Sequence, residues 1–154
     1  MAAAEDSAVL APLVGLRVLE LGCDISLAFA ARLLADLGAE VLRPEPPGGD
    51  PLRAAAPRCG PAGDSAFFAY LNHGKRALPW DADRPGDAQH IAGLAREADL
   101  VLWAPESEAG AALGTLLPAR DDPARRPMLV LTAHGLTGPR AGAPGNPFTA
   151  QHGG

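Results

Sequence analysis

One stretch of thirty residues limits what this chain can fold into: Leu16 to Glu45, LRVLELGCDISLAFAARLLADLGAEVLRPE. It opens on a short apolar run, Val18-Leu19-Glu20-Leu21, of strand length. A turn follows at Gly22-Cys23-Asp24, and Ser26 can cap a helix. Apolar residues then recur at Leu27, Ala30, Ala31, Leu34 and Leu37 with helical spacing. Gly38 stands where a helix end wants a residue that tolerates positive φ. Val41-Leu42 starts a second apolar run, which Pro44 is expected to close. Strand, helix and strand over this length make one βαβ unit, whose crossover suits only parallel strands.

The rest of the chain adds to that unit. From Pro44 to Asp64, proline and glycine are dense enough to exclude a regular element, so a long excursion from the sheet is expected. Loops of that length in a compact domain are often functional. Ser65–Asn72 reads as a short helix and Lys75–Trp80 as a strand ending in Pro79. Asp83–Ala98 reads as a helix, with Asp83 as N-cap and Pro85 in the first turn. Leu100–Trp103 is a buried-strand run, Ala109–Leu117 a weak helix, and Met128–Thr132 a further strand. Residues 1–12 carry no periodicity and are expected to be a flexible terminus; residues 13–154 then form one α/β domain with a mainly parallel sheet flanked by helices. In such sheets ligands bind beyond the carboxyl ends of the strands.

Composition narrows the function. A formal net charge of −5 with a single lysine, Lys75, argues against a nucleic-acid partner, because phosphate neutralisation needs clustered Lys and Arg. No apolar run approaches the roughly 18 residues of a membrane span. The acidic N-terminus does not resemble an export signal, and Cys23 and Cys59 lack metal-type spacing. A cytoplasmic protein with reduced thiols and no metal is expected.

The strand tips hold the candidate chemistry. Gly22 after the first strand is a lone glycine, whereas a methyltransferase or dinucleotide site needs several for close backbone approach. Arg43 and Glu45 read either as a solvated ion pair or as a polar grip on a ribose or phosphate. Leu71-Asn72-His73-Gly74-Lys75-Arg76 reads either as a surface turn or as a phosphate contact through Lys and Arg. No Ser–His–Asp arrangement, metal cluster or Walker loop is present in the sequence.

Taken in order, these segments resemble the class III CoA-transferases, a family that includes formyl-CoA transferase, carnitine CoA-transferase and the α-methylacyl-CoA racemases. The resemblance rests on residues 12–20, residues 30–41 (AARLLADLGAEV), residues 45–51 (EPPGGDP), the LNHGKR turn, Ala98–Val101, Gly135-Leu136-Thr137-Gly138-Pro139, Pro144-Gly145 and Ala150-Gln151. It implies a Rossmann-like partial large domain that takes CoA or acyl-CoA as substrate, with no permanently bound cofactor. Carried over by position, the implied contacts are Asp24, Ile25 and Ser26, then Pro46, then Leu71, Asn72, His73, Gly74 and Lys75, then Ala104 and Pro105, and His134.

In the family an aspartate attacks the donor thioester, and a carboxylic acid is the acceptor; a carboxylate suits this because it is already ionised at neutral pH. By the resemblance that aspartate would lie beyond Gly154, as would the small domain and the return segment that complete an interlocked homodimer. The pattern also departs at Ser26-Leu27-Ala28, at Trp103-Ala104-Pro105 and at His134, and the racemase His-Asp pair would fall at Asn146-Pro147. The expectation is therefore a CoA-transferase segment that does not turn over alone. Two alternatives remain: a non-catalytic assembly module that pairs with its own copy or a complementary polypeptide, and an S-adenosylmethionine-dependent methyltransferase.

Overall fold

The computed structural model describes residues 11–60, 63–119, 121–123, 125–143 and 145. The expectations for residues 1–10 and for Pro144, Asn146-Pro147 and Ala150-Gln151 lie outside the described residues. The elements run β1 (Arg17–Leu21), α1 (Ile25–Asp36), β2 (Glu40–Glu45), β3 (Arg58–Cys59), β4 (Asp64–Ser65), α2 (Ala66–Asn72), β5 (Arg76–Pro79), α3 (Pro85–Glu97), β6 (Leu100–Trp103), α4 (Glu108–Gly114) and β7 (Met128–Val130). No described helix is long and apolar enough to cross a membrane.

Five strands form one parallel sheet in the order β5-β2-β1-β6-β7. The order reverses at β1, as in doubly wound sheets. Side chains alternate across it. Val18 and Val41 face α1, packing with Leu27, Ala31 and Leu102. Leu19 and Leu21 face the other way, against Trp80, Ile91, Ala95, Val101 and Leu113 of the α3 and α4 side. Helices on both faces explain why the strand runs read as nearly continuous apolar sequence.

Local chemistry corrects four sequence expectations. Asp24 rather than Ser26 caps α1: its Oδ1 accepts from the Ser26 and Leu27 N–H groups at 2.8 and 3.0 Å. Replacing Asp24 by alanine leaves two first-turn donors to water and should cost about 1 kcal/mol in a urea titration. At the other end Gly38 has φ +98°, and its N–H and that of Ala39 close on Ala35 and Leu34 carbonyls.

Asp83 does not cap α3. The position before Pro85 is Arg84, which makes no side-chain cap, while Asp87 reaches back to accept the Asp81 N–H at 3.0 Å. Pro44 does not close β2, which continues to Glu45. The β1 register ends at Leu42, so the missing N–H at Pro44 falls beyond that ladder. The Pro44–Asp64 excursion also carries structure: a 3-10 turn at Pro51–Ala54 and the start of a two-residue hairpin, β3 with β4.

Candidate functional site

The parallel strands end together at Leu21, Glu45, Pro79, Trp103 and Val130. The usual ligand crevice in this topology is the gap between β1 and β6, where strand order reverses. Here Ser107 fills it. Its Oγ accepts from the Cys23 N–H at 3.2 Å and the Gly110 N–H at 3.0 Å, and donates to the Ala104 carbonyl at 3.0 Å. Gly22 makes the approach possible: at φ +135°, a Cβ there would stand 2.8 Å from Ser107 Oγ and 3.3 Å from Ala104.

The open space lies one strand over, as a cleft of about 500 Å³ at the tips of β2 and β5. Pro46, Pro47, Gly49 and Arg53 form one wall, and Ala77, Pro79, Trp80 and Asp81 the other. Trp80 is buried, and its N–H donates to the Glu45 carbonyl at 3.0 Å, which ties the two strand tips together. Arg84, largely exposed, stands over the rim.

Beneath the cleft wall is an interior charge network. On β1 and β2, Glu20, Arg43 and Glu45 point to the α1 face, where apolar residues would be expected. Glu20 is fully buried; Lys75 Nζ lies 2.8 Å from its Oε2, and Arg43 Nε 3.6 Å from its Oε1. The Lys75 contact is a close charge-assisted one, whereas Arg43 Nε is too distant for a hydrogen bond, which leaves Glu20 Oε1 and Arg43 Nε buried with none. Arg43 Nη2 pairs with Asp50, and Nη1 lies 3.7 Å from Glu45. Glu45 also holds Arg53, with Nη2 at 2.8 Å, and accepts the Asp50 N–H at 2.9 Å. Both guanidiniums lie over the Phe68 ring, Arg53 at 4.0 Å and Arg43 at 5.6 Å from its centroid.

Protonation follows from these contacts. Burial pushes the Glu20 carboxyl up, and the charges of Lys75 and Arg43 pull it back only in part. Burial likewise pushes the Lys75 ammonium down, against the pull of Glu20. The Arg53 hydrogen bond holds Glu45 below the usual carboxylate range.

The expected site residues divide. Asp24, Ile25 and Ser26, Pro46, Ala104 and Pro105 all sit at the carboxyl edge of the sheet, and His134 follows β7 on the same side. Of these only Pro46 lines the cleft. The carboxylate of Asp24 is used as a helix cap, and Ala104 is packed under Ser107. Leu71, Asn72, His73 and Gly74 lead into β5 and so lie at the opposite edge, with Gly74 beside Ala35 near the end of α1.

Lys75 is no exposed phosphate contact. Its ammonium is turned inward onto Glu20, the Ala28 carbonyl at 2.8 Å and Asn72 Oδ1 at 3.1 Å. Arg43 and Glu45 are neither a solvated pair nor a free grip, because both are buried. Sequence reasoning missed Trp80, Asp81 and Arg84. The strand-tip rule would have found them, since they follow the Lys75–Trp80 run directly. Cys23 and Cys59 are free thiols, and no group of metal-ligating side chains occurs among the described residues.

Comparison with known proteins agrees with this fold. A family profile described as CoA-transferase family III matches residues 13–154. The chain is 35% identical over 140 residues to a probable fatty acyl-CoA transferase of Mycobacterium tuberculosis, covering 87% of this chain and 34% of that protein. It is 36% identical to the succinate–glutarate CoA-transferase of Agrobacterium fabrum, over 59% of this chain and 24% of the relative. Among solved structures, a CAIB/BAIF family protein from Brucella suis superposes with a TM-score of 0.73 at 28% identity, over 93% of this chain and 39% of that one. The chain thus spans about a quarter to a third of the length of these curated relatives. With a profile match running from Leu13 to Gly154 and a parallel sheet of the same build, the chain belongs to CoA-transferase family III.

Proposed function

We propose that this chain is the CoA-holding part of a CoA-transferase, acting on an acyl-CoA donor and a carboxylic acid acceptor. The observation that carries the reading is the cleft between the β2 and β5 tips. It brings the exposed part of Trp80 beside the guanidiniums of Arg53 and Arg84, groups that can meet a base and its phosphates, with Glu45 pairing Arg53 and Asp81 facing Arg84 on the same lining. The residues present bind and orient; the attacking carboxylate belongs to the family aspartate that the resemblance places outside residues 13–154. The isolated chain therefore binds CoA and does not transfer it.

Titration calorimetry with CoA tests this. The wild-type chain should bind, and Trp80→Ala should weaken binding by about tenfold, equal to ~1.4 kcal/mol. Incubation with an acyl-CoA and a carboxylic acid should give no exchanged thioester. Absence of CoA binding overturns the site reading, and sustained exchange overturns the non-catalytic part of it.

A second reading, an assembly module, draws on a different observation. Ile25, Phe29, Leu33 and Leu37 recur every fourth residue along α1 and are 49%, 43%, 49% and 43% exposed. A continuous apolar stripe of this kind marks protein contact more often than solvent. Light scattering separates the readings, since an assembly role requires a species larger than a monomer. The methyltransferase reading has no support at the β1 tip, whose turn carries a lone glycine, Gly22, packed against Ser107.

A further inference from the structure

We infer that Arg43 is a positioning residue for CoA: it fixes the Pro46–Ala54 loop as a wall of the cleft and keys that wall to the β1 tip. The inference rests on the cleft being the CoA site. Polar ties hold the loop: besides Arg43, Glu45 accepts the Asp50 N–H and pairs with Arg53, and Arg58 donates to the Ala54 carbonyl. Its first five residues are Pro-Pro-Gly-Gly-Asp, and none buries a large apolar side chain.

Its place is set by charge. Arg43 Nη2 holds Asp50, whose other oxygen caps the 3-10 turn by accepting the Leu52 N–H at 2.7 Å. The same Nη2 lies 3.7 Å from Cys23 Sγ, in the turn after β1. The guanidinium also packs against Phe68 of α2. One side chain thus touches β1, its tip, the loop and α2.

The orientation of the fork argues that the loop is its purpose. Arg43 is 2% exposed, and a buried guanidinium is worth less to stability than an apolar side chain of its size. Yet its Nε is left without a hydrogen bond, 3.6 Å from Glu20, while both terminal nitrogens turn to the carboxylates that begin and anchor the loop. Lysine cannot reproduce this, because a point charge on a flexible stem lacks the planar fork.

The test uses the 154-residue chain as wild type, Arg43→Lys and Asp50→Asn, the last because Arg43→Lys can fail to fold. CoA affinity is measured by calorimetry, and amide exchange over Gly48–Ala54 by mass spectrometry. Asp50→Asn should raise the CoA dissociation constant at least tenfold and speed loop exchange, with β1 and β6 protection retained. Faster exchange confined to the loop, with β1 and β6 protection unchanged, marks a local loss of positioning, since a loss of global stability would speed exchange in the strands as well. If the wild type binds no CoA, the site reading fails and this role with it. If the wild type binds and Asp50→Asn folds and binds equally well, the role alone fails.

Discussion

Glu20→Ala is expected to destabilise the fold by about 3–5 kcal/mol, the range for removing one partner of a buried charge pair. The carboxylate is 0% exposed and stands between two cations that are themselves nearly closed to solvent. Without it, Lys75 keeps only the Ala28 carbonyl and the Asn72 amide oxygen, and neither carries a full charge. Arg43 keeps Asp50 and Glu45. A loss of that size is a large share of the ~5–15 kcal/mol by which domains are stable. The pair as a unit is a different matter. Burial acts against the charge of both partners, so Glu20→Leu with Lys75→Met should regain most of the loss. Urea unfolding of the two variants checks both statements. A Glu20→Ala protein within about 1 kcal/mol of wild type would mean the network is wetter than its burial implies.

Gly110→Ala is the second large expected effect, near 3 kcal/mol and at the upper end of the cost of overpacking. Alanine is the better helix former by about 1 kcal/mol, so propensity alone favours the substitution. Space forbids it. A Cβ at Gly110 would overlap the Ala104 carbonyl oxygen and stand 2.7 Å from Ser107 Oγ. Ala104 is main chain at the end of β6 and cannot swing aside, so α4 must move off the sheet. That motion pulls Ser107, and Ser107 holds the Cys23 N–H. The expected signature is a lower midpoint in urea together with faster exchange at Cys23. A stabilised Gly110→Ala protein would show that helix propensity outweighs the contact.

Much of the fold was legible because it is written in local periodicity. The runs at Val18, Val41 and Leu100 are short and apolar, α1 has helical spacing, and Gly38 marks its end with a conformation that suits glycine. The caps were less legible. Serine and aspartate are comparable N-caps, so only backbone geometry chose Asp24 over Ser26. At α3 composition pointed to Asp83, but Arg84 takes the cap position and Asp87 reaches back to the Asp81 N–H.

The charge network was hidden for a different reason. Charged residues within a strand read as solvent-facing, and the partners Glu20, Arg43, Asp50 and Lys75 are scattered over 55 residues, joined only by the sheet register. Lys75 is the instructive case. Its position in sequence resembled a ligand contact, while its long stem carried the ammonium inward to Glu20. The cleft itself followed from the strand-tip rule once Trp80 was counted among the tips.

The pocket lies beside β5, an edge strand of the sheet, and is closed on its other side by a loop. A guest held there can come and go through motion of the periphery alone. Motion at that edge need not disturb the centre of the sheet, where β1 is paired on both sides by β2 and β6.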